Sequence, residues 1–315
     1  MARVLAALFA LYVIWGSTYL AIRFAIETLP PFLMAGVRFV VAGGLLYGWV
    51  AMRGGARPTA AQWRASFIIG GLLLVGGNGA VVWAEERVAS GVVALLVATV
   101  PVWMVLLDWA QGTGGRPTGK LMLGMLLGLV GLGLLVGPDA LGGGGDVDPL
   151  RAGVVVLGSM SWAAGSIYSR KAAVPRSPLL FTATQMLAGG ALLLLLGTVL
   201  GEWGDVRLDA VSARSALALA YLIVFGAIVG YSAYVWLLRV STPARVSTYA
   251  YVNPLVAVFL GWALAGEVVS PRIGVAAAVI VAGVAIITTS RTHAPRRPVG
   301  AAGADPGEGE RDELA

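Results

Sequence analysis

Runs of about 20 apolar residues recur along the whole chain, each bounded by charged residues, prolines or glycine clusters. A run of this length crosses the ~30 Å hydrocarbon core of a bilayer as a single α-helix. Hydrophobic residues make up 58% of the chain and charged residues 12%, whereas ordinary soluble domains carry about 25% charged residues. A soluble enzyme with an unusually apolar core is excluded by the repetition of the runs. The sequence therefore predicts an all-α polytopic membrane protein.

Ten such runs predict ten transmembrane helices. They cover residues 3–22, 32–52, 66–84, 88–108, 119–136, 152–169, 179–200, 214–237, 244–263 and 270–289. The first run is too long for the apolar part of a secretory signal and has no small-residue cleavage pattern before Trp15, so we expect it to be retained. An even number of spans places both chain ends on the same side of the membrane.

The distribution of lysine and arginine predicts which side that is. Alternating loops hold fourteen of these residues on one side and six on the other. Because cytoplasmic loops carry the excess of positive charge, both termini are predicted to be cytoplasmic. Residues 291–315 have no apolar face and are predicted to form a disordered cytoplasmic tail, whose first arginines lie against anionic lipid head groups. The net charge of +6 thus indicates membrane lipids as partners rather than nucleic acid.

The two halves of the chain are duplicates of five helices each. Matching residues recur at offsets of 147 to 153, and they include Trp15 with Trp162, Pro31 with Pro178, Arg38 with Gln185, Asn78 with Tyr231, Pro101 with Pro254, and Trp109 with Trp262. Because five is odd, the second copy enters the membrane with the opposite orientation, which is the arrangement behind alternating access to a midplane site. The predicted repeats are residues 1–145 and 146–290, joined by a glycine-rich loop. Asp146 and Asp148 in that loop offer too few oxygen ligands to predict a metal site.

Three stretches resemble a known family. The segment WGSTYLAIRFAIETLPPFLMAGVRF at 15–39, the sequence Tyr251-Val252-Asn253-Pro254, and the following Gly266-Glu267 are similar to the EamA family of the drug/metabolite transporter superfamily. The resemblance extends over residues 5 to 290. It implies two EamA repeats of five helices, cytoplasmic ends, and export of metabolites such as amino acids, or of drugs, across a cell inner membrane.

Arg38 is the most constrained candidate residue, because it lies within a run that is otherwise apolar from Phe32 to Met52. An intramembrane charge has to be paired, hydrated or functional. The sequence leaves three roles open for Arg38: snorkelling to head groups, an ion pair with Glu27, Glu85 or Glu86, and binding of an anionic substrate.

Aromatic and amide side chains at helical spacing are the other candidates for substrate binding. Facing a cavity, they would offer apolar walls with a few polar groups. With Arg38, the predicted substrate-binding set is Trp15, Thr18, Tyr19, Asn78, Trp103, Trp162, Gln185, Tyr231, Tyr234, Tyr249 and Asn253. For Trp15, Trp103 and Trp162, simple packing is an equal alternative. For Trp49, Trp63, Trp109, Trp203 and Trp262, near the predicted span ends, an interfacial belt is the expectation.

Pro101 and Pro254 occupy equivalent positions in the fourth and ninth runs. A proline inside a helix removes a donor and clashes with the preceding turn, so the two residues are predicted to form hinges or tolerated kinks. Glu267 is predicted to act as a cap or gate. Small residues four apart on the fifth and tenth runs permit close helix contact within the chain or across a homodimer; they are Gly124, Gly128, Gly274, Ala278 and Ala282.

The residue types exclude some functions. There are no cysteines, the single histidine is His293 in the tail, and catalytic motifs of hydrolases and metalloproteases are absent. An enzyme is therefore not expected, and no cofactor is predicted. All sixteen acidic residues fall in predicted loops, span ends or the tail, so proton antiport has no evident carrier and exchange or facilitated efflux stays open. A small-molecule transporter is the predicted function, and a channel or structural membrane scaffold without saturable transport is the alternative.

Overall fold

In the computed structural model, which describes residues 2–111, 118–136, 147–241, 246 and 249–289, ten long helices follow one another along the chain. They are α1 (Ala2–Ala25), α2 (Pro31–Met52), α3 (Ala60–Ala84), α4 (Ser90–Ala110), α5 (Gly119–Val136), α6 (Pro149–Ser169), α7 (Pro178–Val199), α8 (Ala213–Val240), α9 (Tyr249–Ala265) and α10 (Pro271–Thr289). Two short 3-10 turns connect α7 to α8. The all-helical fold confirms the sequence prediction. The predicted tail at 291–315 and most of the glycine-rich loop lie outside the described residues.

Seven of these helices are long and apolar enough to span a membrane within the described part of the chain. The other three, α5, α9 and α10, contribute apolar stretches of 10–17 residues. Large hydrophobic side chains are exposed on the outside of the bundle, among them Phe9, Leu126 and Phe259. Such a surface suits lipid tails rather than water.

Helix starts follow local sequence signals. A proline occupies the first position of α2, α6, α7 and α10, where its missing amide hydrogen costs nothing. At α3, Thr59 and Gln62 form a reciprocal capping box. This cap moves the start of α3 to Ala60, six residues before the predicted one, because the polar first turn of the helix was invisible to a search for apolar runs.

Helix packing follows the predicted duplication. The equivalent helices α2 and α7 pack on each other, and so do α5 and α10. The contact of α1 with α9 is mirrored by that of α6 with α4, and the contact of α1 with α8 by that of α6 with α3. A two-fold axis between the repeats produces this set of pairs. The core of the protein therefore lies between the two halves, where α1, α3, α6 and α8 meet.

Helix irregularities also occur in equivalent places. The middle of α3, Gly71–Gly79, and the middle of α8, Leu222–Tyr231, are both π-helical; π segments of this kind are frequent at functional sites. The fourth helix is interrupted at Ala98 and Thr99, and Pro101 lies in the first turn of its second part. Pro254, by contrast, lies inside the continuous helix α9.

The glycine ridge of α5 faces α10 of the same chain. A Cβ atom added to Gly283 would lie 2.7 Å from the carbonyl oxygen of Gly124 and 2.8 Å from the amide nitrogen of Gly128. Space is open around Gly274. Gly124 and Gly128 therefore serve packing within the chain.

Candidate functional site

A cavity lies between the two repeats and is lined from both. Residues of α1, α2, α3 and α4 form one wall, and residues of α6, α8 and α9 form the other. Its volume is about 80 Å³, which is below the range of small-molecule sites, about 300–1,000 Å³. The cavity is therefore narrow in this conformation.

Eight of the twelve predicted substrate-binding residues line this cavity. They are Trp15, Thr18, Tyr19, Arg38, Asn78, Trp162, Tyr231 and Tyr249. Two repeat-equivalent pairs, Trp15 with Trp162 and Asn78 with Tyr231, are both among them. Residues related by the two-fold axis of the repeats thus face the same space.

Aromatic rings form most of the apolar wall. The rings of Trp15 and Trp162 meet edge to face, with centroids 5.7 Å apart, and Tyr249 meets Trp15 edge to face at 5.3 Å. The indole N–H of Trp15 donates to the carbonyl of Gly226 at 3.2 Å, within the π segment of α8. Edge-to-face contacts and this hydrogen bond fix the orientation of the rings.

Arg38 supplies the charge. Its side chain is 4% exposed, and its Nε and Nη1 atoms have no hydrogen-bond partner in the described part of the chain. The guanidinium lies 4.7 Å from the ring centroid of Phe39. None of the three acidic partners considered for it forms an ion pair with it: Glu27 pairs with Arg214 at 3.3 Å, Glu86 pairs with Arg151 at 3.0 Å, and Glu85 interacts with Arg38 only at longer range. A buried guanidinium with unfilled donors can bind a planar oxyanion.

The other four predicted residues lie outside the lining. Tyr234 is behind the indoles, where its hydroxyl accepts from Trp162 Nε1 at 3.1 Å. Gln185 accepts from the Tyr231 hydroxyl at 2.8 Å and so positions a lining residue. The Asn253 amide lies 3.2 Å from the carbonyl oxygens of Tyr12 and Tyr249, to which it donates in the orientation that satisfies both. Trp103 is also absent from the lining.

Apart from Phe39, the lining residues that the sequence did not single out are small or aliphatic. Ser159 and Gly158 on α6, and Gly226 on α8, border the cavity directly. A Cβ atom on Gly226 would lie 2.8 Å from Arg38 Nη2, so this glycine leaves room for the guanidinium. A search for aromatic, charged and amide side chains does not detect glycines that act by leaving space.

The model of the EamA-like transporter family matches this chain twice, at residues 2–137 and 152–289. The chain belongs to this family. The two matches correspond to the two halves of the bundle, so the EamA-like fold here contains two EamA domains. Members of this family are transporters, not enzymes, and the cavity between the two halves is therefore the candidate substrate site.

Two similar proteins and one solved structure are consistent with this family assignment. The chain is 40% identical over 296 residues to the inner membrane transporter YedA of Escherichia coli, with 93% of each chain covered. It is 27% identical over 260 residues to protein PecM of Dickeya dadantii, covering 81% of this chain and 82% of that one. One solved crystal structure superposes with a TM-score of 0.65 at 21% identity, over 91% of this chain and 98% of the other, which supports the fold. The similarity to YedA identifies this EamA-like protein as a multi-pass inner-membrane transporter.

Two glutamates of the second EamA domain bind helix N-termini of the first domain. Glu202 accepts from the amides of Phe32 at 3.1 Å and Leu33 at 2.8 Å, at the start of α2. Partial burial raises the pKa of Glu202 above its ordinary value, and the two amide donors act in the opposite direction. Glu267 accepts from the amide and the hydroxyl of Ser90 at the start of α4. Each glutamate follows a glycine with positive φ, Gly201 or Gly266, which turns the chain back over the helix end.

Glu85 differs from the residue expected at a span end. It follows the last residue of α3, yet it is fully buried, and neither carboxyl oxygen has a hydrogen-bond partner in the described part of the chain. Burial raises the pKa of the Glu85 carboxyl well above its usual range; Glu267 acts in the same direction, and Arg23 and Arg38 act against it. Glu85 thus lies at a span end, as predicted, but it is buried there among α1, α2 and the turn after α9.

Proposed function

We propose that this EamA-like protein exports small metabolites, such as amino acids or amphipathic drug-like compounds, by alternating access around the cavity between its repeats. In this proposal residues 1–145 and 146–290 are the two moving repeats, and both termini are cytoplasmic. The cavity then opens alternately to the two sides of the inner membrane.

Arg38 carries the proposal. Leaving the donors of a buried guanidinium unfilled costs free energy, and a ligand oxyanion offsets this cost. A carboxylate can accept two parallel hydrogen bonds from such a group. We therefore propose substrates that combine a carboxylate, held by Arg38, with an apolar or aromatic part against Trp15 and Trp162.

Polar groups near Arg38 would define the rest of the substrate. Asn78 lines the cavity with an Oδ1 atom that has no partner in the described part of the chain. An acceptor in this position can bind an ammonium or amide hydrogen. An amino acid with an apolar side chain would therefore place its carboxylate on Arg38 and its amino group toward Asn78. The hinge and gate roles proposed for Pro101, Pro254 and Glu267 belong to the same mechanism.

Counterflow in proteoliposomes tests the proposal. Cells with and without the protein are first compared for the intracellular level of a metabolite panel, and compounds depleted by the protein are loaded into vesicles. An alternating-access transporter accumulates labelled compound transiently against an excess of unlabelled compound inside. A channel gives only equilibration and a scaffold gives no flux, so either of these results would reject the proposed function.

A further inference from the structure

Glu85 is a buried carboxyl group with no local hydrogen-bond donor. It is 0% exposed, and both of its carboxyl oxygens lack a partner among the described residues. Its backbone carbonyl is held by Arg23 Nη1 at 2.5 Å, which fixes this residue against α1. The fixed backbone keeps the side chain inside the protein, where ionisation without a hydrogen-bond donor is unfavourable.

Charged groups face Glu85 from several neighbouring elements. Arg23 and Tyr19 on α1, Arg38 on α2 and Glu267 in the turn after α9 interact with it electrostatically. On the side of α6, Arg151 is occupied by Glu86 and by the carbonyl oxygen of Trp83. Of these groups, Arg38 and Tyr19 also line the cavity. Arg38 is therefore the cationic group that interacts electrostatically with Glu85 and also lines the cavity.

We propose that Glu85 is a proton-binding site, and that its protonation makes Arg38 available for the carboxylate of a substrate. The second half of the proposal rests on the proposed function, since it takes carboxylate binding at Arg38 as given. The proton comes from water and returns to water, and no other bond is formed or broken.

Charge balance gives the coupling its sign. When Glu85 is ionised, its charge partly compensates the charges of Arg23 and Arg38, and an incoming carboxylate meets a site whose positive charge is already reduced. When Glu85 is protonated, the positive charge of Arg38 is uncompensated and attracts the carboxylate. Because such coupling is reciprocal, binding of the carboxylate also favours protonation of Glu85. A proton and an anionic substrate therefore bind together and cross the membrane together, so the anion moves without net charge.

Infrared spectroscopy of the purified full-length protein tests the proton site. In the wild type, the carbonyl band of a buried carboxylic acid is expected near neutral pH and is expected to disappear at higher pH. Glu85→Gln removes this band. Glu86→Gln, which alters the adjacent half-exposed glutamate, leaves it unchanged. A titrating band of equal size in Glu85→Gln overturns the proposal.

Titration with benzoate, a carboxylate with one apolar ring, tests the coupling through the intrinsic tryptophan fluorescence, to which Trp15 and Trp162 in the cavity contribute. Wild-type affinity is expected to fall by up to about tenfold per pH unit above the pKa of Glu85, the limit for one linked proton. In Glu85→Gln the affinity should vary by less than about twofold over the same range, as expected for a permanently neutral side chain. Benzoate should also strengthen the wild-type acid band, and this measurement decides the point if the variant fails to fold.

These outcomes separate the proton site from the proposed export. The coupling is overturned if the benzoate affinity lacks this pH dependence and benzoate leaves the infrared acid band unchanged. Vesicles that give no counterflow while the Glu85 band titrates would reject export and leave the proton site in place. Counterflow that keeps its wild-type pH profile in Glu85→Gln would support export and reject the proton site.

Discussion

Glu267, in the turn after α9, binds Ser90 at the start of α4: its carboxylate accepts from the Ser90 amide at 2.8 Å and from the Ser90 hydroxyl at 2.7 Å. The residue that follows α9 in the second domain thereby caps α4, the equivalent helix of the first domain. Glu202, after α7, does the same to α2. Both contacts lie on the side predicted to be outside, and opening on that side would break them.

Removing these caps is expected to favour outward opening. A helix N-cap contributes about 1 kcal/mol, roughly a fivefold change in an equilibrium constant. The chain has no cysteine, so Ser159→Cys in the cavity provides a single reporter. Glu202→Ala and Glu267→Ala should each raise the labelling rate by an impermeant maleimide added outside severalfold. Glu27→Ala, which loses only the exposed pair with Arg214, is the matched control.

Arg38 is expected to be required for transport. Arg38→Ala removes the cavity charge and should abolish counterflow, whereas Arg38→Lys keeps the charge without the planar fork and should retain part of it. Arg53→Ala is the control, because Arg53 is exposed and stacks on Trp49 at 4.4 Å outside the cavity. Full counterflow by the Arg38→Ala protein would contradict carboxylate binding at this residue.

The sequence predicted the helices and part of the site for a common reason. Apolar runs and a duplicated pattern are properties of the chain itself, so they indicated ten helices and paired Trp15 with Trp162 and Asn78 with Tyr231. Which face of a helix points inward depends on its rotation against its neighbours. Gln185, Tyr234 and Asn253 therefore lie one layer behind the cavity, as partners of the lining or of the backbone.

The burial of the turn residue Glu85 was the second feature that the sequence could not predict. Glu85 occupies a turn, and turns are ordinarily accessible to water. Here Arg23 on α1 and Glu267 after α9, far away in the sequence, come together around it. Only the tertiary arrangement identifies the group as buried.

The orientation of the chain is expected to follow the positive-inside rule. Green fluorescent protein fused after Ala315 should fluoresce, and alkaline phosphatase at the same place should be inactive. Phosphatase inserted after Asp209, between α7 and α8, should be active. Active phosphatase at the C-terminus would invert the topology and would place the Glu202 and Glu267 contacts on the cytoplasmic side.

Gly226 is expected to set the space available to Arg38 and to the substrate. A Cβ atom at this position would lie 2.8 Å from Arg38 Nη2 and 3.0 Å from Thr18 Cγ2. Gly226→Ala should therefore displace the guanidinium and lower the counterflow rate severalfold, and Gly226→Val should abolish it. Alanine is a better helix former than glycine by about 1 kcal/mol, so the thermal stability of Gly226→Ala should hold. Gly153→Ala on α6, where space is open, should keep full transport. Unchanged counterflow in Gly226→Val would show that substrates do not pass beside Arg38.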